Sequence, residues 1–190
     1  MVAEEARKVG ERPSAAAVAA VLGARLPRLY AVLDAARPWG ALSWLRGAGL
    51  PYQCLFDGQK AVELAEEAPY LVYLGDRRDT LELVTERVWE DFGGIFLESR
   101  VPFYEVRRQL RRFLLVQDED RQVLFFRWYD PRVAAPFLPT LSAKQIRTVF
   151  GQAIDAYLYE NDDEAALEQA TVGDEDGTPV VAISTLMGSN

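Results

Sequence analysis

The chain has 190 residues, 49% of them hydrophobic and 26% charged, and a net charge of −8. That length holds one domain with a full core, the composition is not that of a disordered chain, and no apolar run nears the roughly 20 residues that span a bilayer. There is no histidine and a single cysteine, Cys54, which excludes a histidine-based triad, a zinc ligand set and an internal disulfide.

The charge is unevenly placed. Arg147 is the last base, and residues 148–190 carry nine acids; the first 147 residues hold 21 bases against 20 acids. An acidic tail repels nucleic acid and suits solubility or a basic protein surface. The lack of a disulfide fits a reducing compartment such as the cytoplasm. Arg7, Lys8 and Arg12 ahead of the run Ala15–Ala20 faintly imitate a signal peptide, but Glu4, Glu5 and Glu11 spoil its basic region.

Residues 1–13 read as a frayed leader, and 14–25 as a helix capped by Ser14 and broken by Pro27. Leu29–Ala35 is a buried strand ending near Asp34. Pro38 opens a helix carrying Trp39, Leu42, Trp44 and Leu45, closed by Gly47 and Gly49. Tyr52–Phe56 is a second strand. It is followed by the turn Asp57-Gly58 and a helix over 59–67. Pro69 introduces a third strand, Tyr70–Leu74. Asp79 and Glu82 read as a capping box for a helix whose buried face is Leu81, Val84, Val88 and Phe92. Gly93-Gly94 ends it, and Ile95–Glu98 is a fourth strand.

Pro102 opens a helix with the apolar stripe Phe103, Val106, Leu110 and Phe113. Its other side holds Arg107, Arg108, Arg111 and Arg112, two i, i+4 pairs that repel by a few tenths of a kcal/mol each. They form either a solvated basic face or a docking surface for an acidic segment, the chain's own tail being one candidate. Leu114–Gln117, the polar link Asp118–Arg121 and the aromatic run 123–129 read as a hairpin. The second arm is apolar on both sides, so it is expected in the middle of a sheet covered on both faces. Asp130 and Pro131 suit the cap and first position of a helix, with Arg127 and Arg132 flanking the carboxylate. That cluster is a structural lock or, at a strand end, a fork for a carboxylate or phosphate. The helix is expected to end at Pro136 and Pro139. Ser142 and Gln145 form a second capping box, Gly151 closes its helix, and Ala153–Tyr159 is a strand. After an acidic link come Ala165–Val172, a turn over Gly173–Gly177 and Thr178–Thr185. These make a β-hairpin, although the first arm equally fits a helical turn. Residues 186–190 are expected to fray.

The pattern is α/β, with a mixed central sheet flanked by helices on both faces and a C-terminal β-hairpin extension. It divides into a leader with an Ala-rich helix (1–27), the α/β body (28–160), and an acidic link with hairpin (161–190). No phosphate-binding glycine loop and no nucleophile elbow occurs. The acids at strand ends, Asp34, Asp57 and Asp130, leave one enzymatic reading open: a magnesium-dependent hydrolase or phosphotransferase. Ordinary turn and cap roles account for each of them.

The ordered series Leu29–Ala35, Leu55-Phe-Asp-Gly58, Ala68–Val72, Leu110–Phe113 and Phe126-Arg-Trp-Tyr-Asp-Pro-Arg-Val133 resembles the adaptor, or chaperone, domain of type VI secretion systems, the Tap/TEC family. That domain was long known only as one of unknown function. The resemblance covers about residues 28–150. It implies an α/β fold, no catalysis, no cofactor and no metal, with Arg127, Asp130, Pro131, Arg132, Asp34, Asp57 and Gly58 in the family signature. It implies that the chain binds a toxic effector in the bacterial cytoplasm and helps load it onto the VgrG spike. Neither nucleic acid nor membrane is expected as a partner. An immunity-type binder of a single toxin is the alternative outside enzymology.

Overall fold

All six residues of Leu29–Asp34 are buried, and a sheet is laid to either side of that strand. The computed structural model describes residues 11–89, 91–117 and 120–188. Most of the leader, two residues of the link before Arg121 and the last two residues fall outside the described residues. The elements in the first half are α1 (Ala15–Gly23), β1 (Leu29–Asp34), α2 (Ala41–Ala48), β2 (Tyr52–Cys54), α3 (Gly58–Glu63), β3 (Pro69–Tyr73), α4 (Arg78–Val88), β4 (Gly94–Glu98) and α5 (Phe103–Leu110). They continue with β5 (Leu115–Gln117), β6 (Val123–Phe125), α6 (Pro131–Phe137), α7 (Ala143–Val149), β7 (Ala156–Asn161), β8 (Ala166–Glu175) and β9 (Thr178–Met187).

Seven strands form one sheet in the order β2-β3-β1-β4-β7-β8-β9, with every neighbouring pair antiparallel. The α/β class, the helices on two faces and the C-terminal hairpin are therefore as expected. β1 and β2 run the same way, as a strand-helix-strand connection allows, but β3 enters between them in the opposite sense. β1 and β4 approach closely because residue 94 is glycine. A Cβ there would stand 2.1 Å from the Val32 carbonyl oxygen.

Alternation along the strands divides the core in two. Leu29, Ala31 and Leu33 pack with Val18 and Leu22 of α1, Leu42 and Leu45 of α2, and Leu81 and Val84 of α4. Tyr30 and Val32 pack on the other side with Val106 and Leu110 of α5, Ala134 of α6, and Ile146 and Val149 of α7. Val106 and Leu110 are fully buried, and together contribute roughly 4 kcal/mol. No helix among the described residues is long and apolar enough to cross a membrane.

The caps at Ser14, Asp130 and Ser142 are formed, the last as a complete capping box with Gln145. The box expected at Asp79 and Glu82 is not. Arg77 holds the cap position without a side-chain capping bond, and Asp79 is the second residue of the helix, 3.6 Å from that guanidinium. α2 starts at Ala41 rather than at Pro38, because Gly40 takes a left-handed conformation just before it. Pro136 stays inside α6 instead of ending it. The leader's described end is docked, not frayed: Arg12 pairs with Glu160 at 2.8 Å, and the Pro13 carbonyl accepts from Trp89 Nε1 at 2.7 Å. The final hairpin turns tightly through Asp176-Gly177, both with positive φ, so both arms run ten residues. The helical alternative for its first arm falls away. Leu186 and Met187 belong to β9 and pack against the first core.

The largest departure is the aromatic run. It is not a central strand. Only Val123–Phe125 is extended, and it pairs with β5 alone in a separate two-stranded sheet. A turn then closes from the Arg127 carbonyl to the Asp130 N–H at 3.0 Å. That coil buries Trp128 and Tyr129 together in the second core, whereas an extended backbone sends neighbouring side chains to opposite faces.

Candidate functional site

Asp34 ends β1 and is fully buried. Its carboxylate accepts from the Ala36 N–H at 3.1 Å and pairs with Arg127. Asp130 is buried as the N-cap of α6, accepting from the Arg132 N–H at 3.1 Å and from the Arg132 Nε and Nη2 at 3.0 and 2.7 Å. Pro131 fills the first position of that helix and is buried. Arg37 ties the two acids together, with Nη2 3.1 Å from Asp130 and Nε 3.8 Å from Asp34. The expectation that Arg127 and Arg132 both flank Asp130 is thus half corrected. Arg132 does, Arg127 is taken by Asp34, and Arg37 supplies the second guanidinium. Arg37 was missed, although Asp34 and Arg37 at i, i+3 across a turn carried the signal.

Burial alone raises the Asp130 carboxyl. The Arg132 side-chain and backbone hydrogen bonds, with the charges of Arg132 and Arg37, outweigh it and hold the group below its ordinary range. Burial, then the neighbouring Asp34 charge, pushes the Tyr129 hydroxyl far above its usual value. Both acids are matched by guanidinium groups, three arginines to two carboxylates, and Arg127, with a side chain 45% exposed, commits its Nη2 to Asp34.

The arginine quartet divides in two. Arg107 and Arg111 turn toward the β2–α3 connection and both pair with Asp57. Arg107 also donates to the carbonyls of Cys54 at 2.8 Å and Phe56 at 3.1 Å, and Arg111 to that of Leu55 at 2.9 Å. The hydrogen bond from Arg107 leads the causes that lower the Asp57 carboxyl. Gly58 follows with φ +57, which lets α3 begin. Arg108 and Arg112 instead line a groove of about 520 Å³ with Glu105, Gln109, Arg147 and Gly151.

These partners separate the three acids of the enzymatic reading. Asp34 and Asp130 share Arg37, while Asp57 is held by α5 and the turn after it. Among the described residues, no three acids or cysteines gather where they would hold a metal ion.

One surface was missed altogether. The β5–β6 hairpin exposes Leu115, Val116, Val123, Leu124 and Phe125, each between 38% and 57% accessible. It is fastened to the body at one corner, where Phe125 stacks on Phe56 with ring centroids 5.0 Å apart and Lys60 Nζ stands 5.1 Å over the Phe125 ring. An unbroken apolar run reads the same whether it is core or an uncovered surface. The signal was length, since the coil at Arg127–Asp130 leaves only three strand residues.

The sequence profile of the family described as "Domain of unknown function (DUF4123)" matches residues 29–148, well over half of the chain. The chain belongs to this family. The DUF4123 match begins at β1 and ends one residue before the end of α7. It therefore includes the acid–arginine cluster, the arginine quartet and the exposed hairpin, and leaves out α1 and the strands β7–β9. No curated protein and no solved structure matches the chain.

Proposed function

We propose that this DUF4123 chain is a non-enzymatic adaptor of a type VI secretion system, which binds a toxic effector in the cytoplasm and helps load it onto the VgrG spike. The observation that supports this most directly is the uncovered hairpin. Five apolar side chains stand exposed on one two-stranded unit, and exposed apolar surface of this kind marks protein-binding sites. The acid–arginine pairs serve the body. Asp34, Asp130 and Asp57 are each neutralised by arginines, which braces the strand ends and the β2–α3 connection around that hairpin.

The reading is tested by co-purification with the products of the neighbouring genes, which the reading requires to include a toxic effector and a spike protein. The double variant Val123→Lys/Leu124→Lys replaces two exposed side chains, so its melting temperature stays within about 2 °C of the parent. It is expected to lose effector capture. Equal capture by parent and variant defeats the hairpin's role. A magnesium-dependent turnover abolished by Asp57→Asn, with the fold intact, defeats the adaptor reading itself.

A further inference from the structure

Two of the four clustered arginines have work inside the fold, and two do not. Arg107 and Arg111 are held by Asp57 and three carbonyl groups. Arg108 and Arg112 lie on the other flank of the same helical stretch, and Arg147 reaches the same groove from the last turn of α7. Arg108 has only a loose contact, 3.8 Å from Glu105. Among the described residues, Arg112 and Arg147 pair with no carboxylate. Arg112 donates to the Gln109 Oε1 at 3.4 Å. In a chain of net charge −8, three nearly unspent guanidinium groups around one hollow call for an explanation. Cations near helix C-termini are favourable by about 0.3–1 kcal/mol. That accounts for basic residues at these helix ends, but not for their convergence from two elements on one groove.

The floor of the groove is fixed. Gln109 is buried and donates from Nε2 to the Thr148 carbonyl at 2.5 Å, closing the end of α7. Gly151, with φ +57, makes room for that carboxamide; a Cβ there would stand 2.7 Å from its Oε1. The arginines therefore rise from a set wall at about 520 Å³ of open volume, within the range of small-ligand clefts.

We infer that this groove is a docking site for an acidic peptide segment of a partner protein, with Arg108, Arg112 and Arg147 meeting its carboxylates. Guanidinium groups bind carboxylates through paired hydrogen bonds, and arginine clusters are a common means of reading acidic motifs. A carboxylate entering the groove also relieves the mutual repulsion of the three cations. Three guanidinium groups beside Glu105 suit a few discrete carboxylates, whereas the continuous backbone charge of RNA would extend past the groove onto an acidic chain. The inference extends the adaptor reading by giving the chemistry of a second contact, and its test does not depend on that reading.

The probe is a fluorescein-labelled ten-residue peptide containing four glutamates, compared by fluorescence anisotropy with the same peptide carrying glutamines. At low salt the full chain is expected to bind the glutamate peptide at least tenfold more tightly, with the difference shrinking as salt rises. Arg112→Gln/Arg147→Gln is expected to weaken binding about tenfold, from roughly threefold per arginine. Arg147→Glu alone, at an exposed position, is expected to weaken it further than Arg147→Gln. Melting temperatures establish that each variant is folded. Equal binding of the two peptides, unchanged binding by the variants, or tighter binding of a ten-nucleotide RNA each overturns the inference. If the peptide fails while the hairpin variant still loses its effector, the groove proposal falls and the adaptor reading stands. If the peptide binds and no effector is captured, the reverse holds.

Discussion

Replacing Asp130 by alanine tests whether the acid–arginine cluster holds the fold. Two losses follow from its contacts. The carboxylate caps α6 by accepting from the Arg132 N–H, and removing such a cap costs about 1 kcal/mol. It also neutralises Arg37, whose side chain is 20% exposed and whose other acid, Asp34, is 3.8 Å away. Stranding one member of a fully buried pair costs about 3–5 kcal/mol. Arg37 keeps some solvent and a second acid, so about 2 kcal/mol is the appropriate share. Arg132 is half exposed and returns to water at little cost. The expected total is about 3 kcal/mol, or roughly 6–12 °C in melting temperature for a chain of this size. Asp130→Asn keeps an oxygen for the cap and should lose about 1 kcal/mol less. Arg132→Gln should cost under about 1 kcal/mol. Urea unfolding followed by tryptophan fluorescence reads all three, because Trp128 is buried two residues from the cap. A loss below about 1 kcal/mol for Asp130→Ala, or a larger loss for Arg132→Gln, refutes the reasoning.

Three further outcomes are expected. The Asp130 carboxyl is held below its ordinary value of 3.8, so as pH falls the unfolded chain takes up the proton first. The stabilisation is complete above about pH 4 and is lost as pH drops toward the folded value. Urea midpoints measured from pH 3 to 7 should fall at the acid end, and more steeply for the parent than for Asp130→Asn. Burial, ahead of all other causes, raises the Cys54 thiol. Iodoacetamide should therefore alkylate it more slowly at pH 7 than it alkylates a free cysteine, and the rate should reach that of the free thiol in urea. Gly151→Ala puts a Cβ into a left-handed residue and against Gln109. A loss of about 1–2 kcal/mol is expected by thermal melting, and an unchanged melting temperature would refute both the backbone strain and the close contact with Gln109.

Much of the sheet was readable from local pattern. β1, β3 and β4 are continuous apolar runs bounded by breakers, and all three are nearly wholly buried. The caps at Ser14, Asp130 and Ser142 were legible because a cap is a contact between near neighbours in sequence. The insertion of β3 between β1 and β2 was not, since it rests on pairing between distant segments. The arginine quartet looked like a single basic face until Asp57, some fifty residues earlier, was found to claim Arg107 and Arg111. The aromatic run misled for another reason. Apolar composition records that water is to be excluded but not by which surface, and here Trp128 is covered by this chain while Leu124 is left bare.

Arg127 leaves the exposed hairpin two residues after Phe125 and is moored to an acid at the floor of the sheet. Phe56 holds the same hairpin from its side. Both ties lie where the chain leaves β6, so that end of the hairpin is held to the body. On the proposed adaptor role, a partner that settles against this end meets a surface already set, and more of the ordering entropy of association falls on the visitor.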